Sequence, residues 1–467
     1  MKQSKFLPLL AGALLPMVAC QEKTKEDLPT RPNIVYLLAD DMGIGDLGCY
    51  GQELIQTPTI DSLANAGLRF LNHYAGSTVS APSRCCLMTG KHTGHAFVRG
   101  NVNDPASEGG QPFDYPIPAE EVTVAEVLKD NGYMTGCVGK WGLGGPTSTG
   151  SPNKQGFDYF FGYLSQVTAH RYYPQSLWEN ETEVQLDHAY YSHDLIVKKG
   201  LEFIERNADK PFFLYMPVTL PHADLDVPAE DLEMYDGKFD EKEYKNAAFP
   251  AKGYKPLTNP RATYATMVTK LDQTLKMVLE TLEKKGISEN TIVIFSSDNG
   301  VHSVGGHNPA FFNSNGGYRG IKRDLYEGGV HTPLVISWPK VIKEHREVAP
   351  TSAFWDFLPT VCDIIGAPVP EGVDGYSILP SITGKGKQKE HDALYWEFYE
   401  KGGKKAVLKD NWKLIQQDIK KKPYWELFNL AEDPKESTNV LEQNPDKVKE
   451  LKKIMEESHT PSSVYKF

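Results

Sequence analysis

This 467-residue sequence is short of several things, and each shortage excludes something. It holds six cysteines. Cys20 falls in the N-terminal leader. Cys49, Cys85, Cys86, Cys137 and Cys362 are odd in number, include an adjacent pair and show no metal-ligand spacing. That argues against a disulfide framework and a cysteine-ligated metal, and leaves these side chains as expected buried fillers. Cationic runs are missing outside the C-terminal region, and the formal net charge is −11. Nucleic acid is therefore not an expected partner. There is no internal repeat and no low-complexity tract. Beyond the first twenty residues, no apolar run approaches the length needed to cross a bilayer.

What is present describes a globular protein: 40% hydrophobic and 24% charged residues, in a chain long enough to bury a sizeable core. The start, "MKQSKFLPLLAGALLPMVAC", reads as an export signal. Lys2 and Lys5 precede the short apolar run Phe6–Val18, and small residues lead to Cys20. Met17-Val18-Ala19-Cys20 resembles a bacterial lipobox, so the expectation is cleavage before Cys20 and lipidation of its thiol. The expectation is then an exported lipoprotein of a Gram-negative bacterium, periplasmic or at the cell surface, touching membrane only through its anchor. The expected boundaries are a leader at 1–20, a polar tether at 21–31, a main domain at 32–375 and a C-terminal subdomain at 376–467.

Strand-like and helix-like segments alternate through the main domain. "NIVYLLADD" is a continuous apolar run ending in two carboxylates, as a buried parallel strand requires. Thr123 and Glu126 make a capping box for the helix "TVAEVLKDNG", followed by the strand "YMTGCVGKW". Ser192 opens another helix before the strand "PFFLYMPV". From Ala262 to Lys285, Met267, Leu271, Leu275, Val278 and Leu282 fall on one helical face, ahead of the strand "TIVIFSSDNG". The pattern predicts an α/β fold with a large, mainly parallel sheet between layers of helices. "LYWEFY", "KAVLKDNWKLIQQD" and "YWELFNL" predict a short antiparallel sheet in the C-terminal subdomain, closed by the helix "NPDKVKELKKIMEES".

In such sheets chemistry gathers beyond the carboxyl ends of the strands. Asp40-Asp41 and Asp298-Asn299 fall at two such ends. Hard oxygen ligands of this kind suit Ca²⁺ or Mg²⁺ rather than zinc, although Asp and Asn also cap helices. Arg84, Lys140 and Lys322 are candidates for an anion site, and His222 for proton donation to a leaving group.

"SAPSR…MTGK" resembles the formylglycine signature of the type I sulfatases. "RPNIVYLLADDMGIGDLGCYG", "TPTIDSLANAGLRF", "SDNG", "RGIKRDLYEGG" and "WKLI…WELFNLAEDP" extend the likeness from about Arg31 to Pro434. The resemblance implies an alkaline-phosphatase-like fold and hydrolysis of sulfate esters. It implies that Ser80 is oxidised to formylglycine by a maturase before export. The hydrated aldehyde would offer one hydroxyl as nucleophile and a second to expel sulfate. Asp40, Asp41, Asp298, Asn299 and the modified Ser80 would hold one calcium ion. Arg84 would steady the formylglycine, Lys140 and Lys322 would clamp sulfate together with His222, and His222 would act as general acid. The signature departs from the family at one point: "GKWHLG" is usual, and this chain has Gly142 in place of the histidine. His170 in "QVTAHRYYP" is the expected substitute. The aromatic and polar residues of "AHRYYPQSLWEN" suit a sulfated oligosaccharide, with galactose or N-acetylgalactosamine units the leading class. A phosphonate or phosphodiester hydrolase, or a non-catalytic glycan-binding lipoprotein, are the alternatives.

Overall fold

The computed structural model describes residues 31–107 and 113–467 together with Met1. The rest of the leader, with Cys20, and all of the tether but Arg31 lie outside the described residues.

The strands, in chain order, are β1 (Asn33–Ala39), β2 (Leu68–Phe70), β3 (His73–Tyr74), β4 (Met134–Lys140), β5 (Tyr159–Tyr163), β6 (Ser176–Glu179), β7 (Thr182–Gln185) and β8 (Phe212–Pro217). They continue with β9 (Thr291–Ser297), β10 (Leu334–Ser337), β11 (Arg346–Val348) and β12 (Ser352–Ala353). The C-terminal strands are β13 (Leu394–Phe398), β14 (Lys404–Lys409), β15 (Trp412–Gln417) and β16 (Tyr424–Asn429). Ten of them form one sheet in the order β11-β2-β10-β9-β1-β8-β4-β5-β6-β7.

The centre of this sheet is parallel: β1 pairs with β8 and β9, and β4 with β8 and β5. All seven residues of β1 are buried, because helices cover both faces. Ile34, Tyr36 and Leu38 join the core on one face, and Val35, Leu37 and Ala39 the core on the other. A strand covered twice needs apolar residues at every position, which is why its run is continuous rather than alternating. The helix Pro260–Lys284 buries the stripe expected of it, from Met267 to Leu282. The Thr123–Glu126 capping box forms, with Thr123 Oγ1 accepting from the Glu126 N–H at 3.2 Å and Glu126 Oε2 from the Thr123 N–H at 2.8 Å. β10 runs antiparallel to β9, a direction that a short apolar run such as "TPLVISWP" does not encode.

The strands β13–β16 make a separate antiparallel sheet, as the pattern predicts. One face packs on the helix Pro445–Glu457 through Tyr395, Val407, Leu414, Leu427, Leu451 and Met455. The other face turns Trp396, Ala406, Ile415 and Phe428 into the main core. Cys85, Cys86, Cys137 and Cys362 are buried free thiols, and Cys49 is half-buried and also free.

The helix Ser80–Thr89 begins at Ser80, two residues earlier than a turn through Pro82 would place it. Proline is tolerated there because the N–H groups of the first helical turn have no intrahelical partner to lose. Ser83 serves the backbone: its Oγ donates to the Asp298 carbonyl at 2.5 Å and accepts from the Gly76 N–H at 3.1 Å.

Candidate active site

Four neighbouring strands end at the same edge of the sheet, in the order β9, β1, β8, β4. Asp40-Asp41 follow β1, Asp298-Asn299 follow β9, Lys140 is the last residue of β4, and His222 lies in the loop after β8. Parallel pairing is what brings together residues as far apart in the chain as 40 and 298. Asp41 adopts a left-handed φ of 61°, which turns the chain so that its N–H donates to Asp298 Oδ1 at 3.0 Å.

The N-terminus of the helix Ser80–Thr89 abuts this crest. Ser80 Oγ donates to Asp40 Oδ1 at 3.1 Å, and Lys140 Nζ lies 3.3 Å from Ser80 Oγ and 2.6 Å from Asp40 Oδ2. Arg84 is fully buried: Nε and Nη2 donate to Asp298 Oδ2 at 3.1 and 2.8 Å, and Nη1 to the Lys140 carbonyl at 2.6 Å. Lys322 Nζ reaches Asp41 Oδ2 at 2.5 Å and His222 Nε2 at 3.0 Å. His222 Nδ1 faces the Ala223 carbonyl at 2.5 Å, so the ring carries its proton on Nδ1 and accepts from Lys322 through Nε2.

Three carboxylates and three cations are thus buried together, and the electrostatics follow from that. Burial opposes ionisation of Asp40, but Lys140, His222 and Arg84 outweigh it and hold the carboxyl well below its usual range. Asp41 is held at about 2, against burial, by Lys322 and His302. Asp298 is pushed up to about 6 by burial and by the Asp40 charge, with Arg84 opposing. Burial and the Lys322 charge drive His222 well below the ordinary imidazole value.

Carboxylate oxygens of Asp40, Asp41 and Asp298 lie within 4.8 Å of one another. Asn299 Nδ2 donates to Asp41 Oδ1 at 2.7 Å, while its buried Oδ1 has no partner among the described residues. An idle amide oxygen beside three carboxylates is a hard-oxygen donor set, of the kind that fits Ca²⁺ or Mg²⁺. It lacks the imidazole and thiolate ligands of a zinc site.

His92, His95 and Asp374 also bring potential ligand atoms within 4.8 Å of one another. Their hydrogen bonds are spent internally. His95 Nδ1 lies 2.8 Å from Asp374 Oδ1, the His92 N–H donates to Asp374 Oδ2, and the Gly94 N–H donates to His92 Nδ1. The last bond puts the His92 proton on Nε2, which faces Asp374 Oδ2 at 3.7 Å. This group fastens the turn after the helix Ser80–Thr89 to the segment around Asp374.

His170 lies in the site, with its ring stacked on His222 at 4.5 Å and 4° between planes. It does not fill the space at Gly142. A Cβ there would lie 1.9 Å from Gln166 Nε2, so the residue occupying that space is Gln166. Sequence reasoning also misses His302, a buried ring beside Asp41 whose Nε2 lies 3.1 Å from the Pro221 carbonyl. Its one signal is position, three residues after Asn299 in the same strand-end loop. Tyr254, half-buried with its ring 5.9 Å from His170 and 6.4 Å from His222, carries no local signal at all.

The Sulfatase family model matches residues 32–367, and the model for the C-terminal region of N-sulphoglucosamine sulphohydrolase matches residues 317–461. An N-acetylgalactosamine-6-O-sulfatase of Bacteroides thetaiotaomicron is 30% identical, over 98% of this chain and 99% of its own length. An N-acetylglucosamine-6-O-sulfatase of the same organism is 27% identical, over 98% of this chain and 91% of its own. Among solved structures, Ps i-CgsB in complex with k-i-k-neocarrahexaose superposes with a TM-score of 0.77 at 27% identity, covering 93% of this chain and 95% of that one. With one family matched over most of its length and a relative aligned almost end to end, the chain belongs to the sulfatases and is a sulfuric ester hydrolase.

Proposed function

We propose that this sulfatase removes sulfate from sulfated sugars, with galactose- or N-acetylgalactosamine-type units the leading class, using formylglycine made from Ser80 and a calcium ion. The observation that carries the reading is the placement of Ser80. Its Oγ lies at a helix N-terminus between Asp40 and Lys140, on the strand-end crest where Lys322 and His222 also converge. A helix N-terminus flanked by buried lysines is a ready site for an anion.

In this reading Asp40, Asp41, Asp298 and Asn299 hold the ion, which would lower the pKa of the nucleophile and offset sulfate charge. Formylglycine would supply a nucleophile able to release the sulfate it accepts, which serine lacks. The remaining work falls to the chain's own side chains. Lys140 and Lys322 bind the sulfuryl oxygens and exclude water from them. Arg84, bonded to Asp298 and to the Lys140 carbonyl, keeps the helix and the β4 end in register. His222 acts on the bridging oxygen through Nε2. The same burial and lysine charge that depress its pKa make a proton placed there easy to give up.

The sugar class rests on the mouth of the site and on the relatives. His170 and Tyr254 present aromatic rings beside His222, and aromatic rings suit the apolar faces of sugars. Of the neighbouring tyrosines, Tyr172 is committed to packing: it is buried and donates to the Thr219 and His222 carbonyls. The N-acetylgalactosamine-6-O-sulfatase likeness extends over 98% of the chain. Export, lipidation of Cys20 and an encounter with a maturase belong to the same proposal.

Intact-mass analysis of protein made in the presence of a maturase, followed by sulfate release from a panel of regiodefined sulfated sugars, tests the reading. Conversion of Ser80 and release from a galactose- or N-acetylgalactosamine-type sulfate are expected. Unmodified Ser80 in an active enzyme, or faster turnover of phosphoesters than of any sulfate, would contradict it. Chelation tests the ion separately. Removing it should lower both activity and thermal stability, and calcium should restore both. At free calcium one hundred times Kd, binding stabilises the folded state by about 2.7 kcal/mol.

A further inference from the structure

We propose that Gln166 is a sulfate-contacting residue of this active site, its side-chain Nε2 donating a hydrogen bond to an oxygen of the sulfuryl group held beside Lys140. The inference rests on the sulfatase function proposed above.

The place is set by the exits of two neighbouring strands. β4 ends at Lys140, whose Nζ lies 3.3 Å from Ser80 Oγ. Beyond it, the Trp141 and Gly142 N–H groups donate to the Tyr163 and Leu164 carbonyls at 2.8 and 3.1 Å. The chain leaving β5 is thereby zipped to the chain leaving β4 past the end of both strands, and Gln166 arrives opposite Gly142. The Asp114 carboxylate, itself buried, accepts the Gln166 backbone N–H at 2.9 Å and fixes the start of the side chain.

Gly142 has a φ of 75°, and a Cβ built on it would lie 1.9 Å from Gln166 Nε2 and 2.8 Å from its Cδ. A side chain there would be strained at that φ and would have to displace the end of Gln166. The amide therefore occupies the volume that a side chain two residues past Lys140 would claim. Gln166 is 5% exposed, and its Nε2 has no hydrogen-bond partner among the described residues.

A buried primary amide with idle N–H groups is costly, and an anion answers that cost. The Asp114 carboxyl that accepts the Gln166 backbone N–H feels the charge of Lys140, which puts this segment in the neighbourhood of that buried ammonium. A sulfuryl group held beside Lys140 would give the idle amide N–H groups the acceptor they lack. Because an amide does not titrate, Gln166 would bind and orient without taking part in proton transfer. His170, on the opposite side against His222, is not a duplicate of it.

The test compares the mature, calcium-loaded enzyme with Gln166→Met, which keeps length and volume but has no donor. Inorganic sulfate is titrated by calorimetry, and thermal unfolding and sulfate release are measured alongside. The Met variant should bind sulfate about 10- to 100-fold more weakly, as loss of a hydrogen bond to a charged group implies. Its kcat/KM should fall on the order of 10²- to 10³-fold. Its Tm should be unchanged or higher, because an unpaired buried donor has been removed, whereas a purely structural glutamine would lower Tm. Gln166→Glu, which turns a carboxylate toward the anion, should bind sulfate more weakly still. Sulfate affinity and kcat/KM at wild-type levels in the Met variant would overturn the proposal. So would a Glu variant that binds sulfate as well as the Met variant. If the wild type binds sulfate but hydrolyses no ester, the sulfate-ester function fails while the affinity comparison still decides Gln166.

Discussion

Replacing Ser80 by alanine is expected to abolish sulfate release, on the order of 10⁴- to 10⁶-fold, the scale on which removing a covalent nucleophile is felt. The variant should fold, because Ser80 Oγ makes two polar contacts, to Asp40 and Lys140, and each of those groups keeps the other at 2.6 Å. A more discriminating result concerns the encoded serine itself. Protein made without maturation retains an alcohol at the helix N-terminus, in the same grip of Lys140 and Asp40. Attack by that alcohol on a sulfate ester would form a serine sulfate ester with no second hydroxyl to expel it. Unmatured protein should therefore turn over at most once per chain, and mass spectrometry should find the product on Ser80. Sustained turnover by unmatured protein would remove the need for formylglycine. Inorganic sulfate should still bind the Ser80→Ala variant, because Lys140, Lys322 and His222 remain, and this separates loss of the nucleophile from loss of the pocket.

The carboxyl-end residues were legible because two different physical demands fall next to each other in the chain. "NIVYLLADD" and "TIVIFSSDNG" each join a strand buried on both faces to a hard-oxygen pair, and parallel pairing of β1 with β9 does the rest. The formylglycine-like stretch was legible as a motif, but its helix boundary was not. Pro82 lies in the first turn, where a missing N–H costs nothing, and the helix already begins at Ser80. Gln166 was illegible for a different reason. Its neighbours in "GYLSQVTAH" give no period and no charge pattern, and its place is defined by Gly142, twenty-four residues earlier in the chain. The departure at Gly142 announces a vacated side-chain volume without saying what fills it. His170 stacks on His222, whereas the pairing of the β4 and β5 exits delivers Gln166 to Gly142. The acidic net charge likewise misleads about an anionic substrate, because three buried cations act within the site at contact distance.

Lys413→Met is expected to destabilise the folded chain by about 3–5 kcal/mol, the cost of leaving a buried carboxylate without its partner. Lys413 is fully buried on β15, 2.7 Å from Glu327 Oε1 and 3.3 Å from Glu436 Oε1. Glu327 also accepts from Tyr74 Oη at 3.0 Å, and its N–H donates to Glu436 Oε2 at 2.7 Å. The trio ties the C-terminal sheet to the segment that carries Lys322, so it couples the two parts of the chain as well as stabilising them. Burial opposes ionisation of Glu327, but Lys413 holds it at about 2. Glu436 is pushed up to about 7 by burial and the Glu327 charge, with Lys413 opposing. The signs then differ. The depressed Glu327 contributes stability that is present above its ordinary value of 4.5 and lost as pH falls toward 2. The raised Glu436 holds a proton in the folded state that the unfolded chain has released, so its contribution is lost as pH rises from 4.5 through 7. Without Lys413 both carboxyls shift upward, so the deficit should already be present at pH 5, where the paired Glu327 is ionised in the wild type, and larger at pH 8. Denaturant midpoints of wild type and Lys413→Met at the two pH values measure this, and an equal deficit at both would assign the loss to packing instead. Glu327→Gln combined with Lys413→Met should recover part of the loss at pH 8, because the charge that had become unpaired is gone.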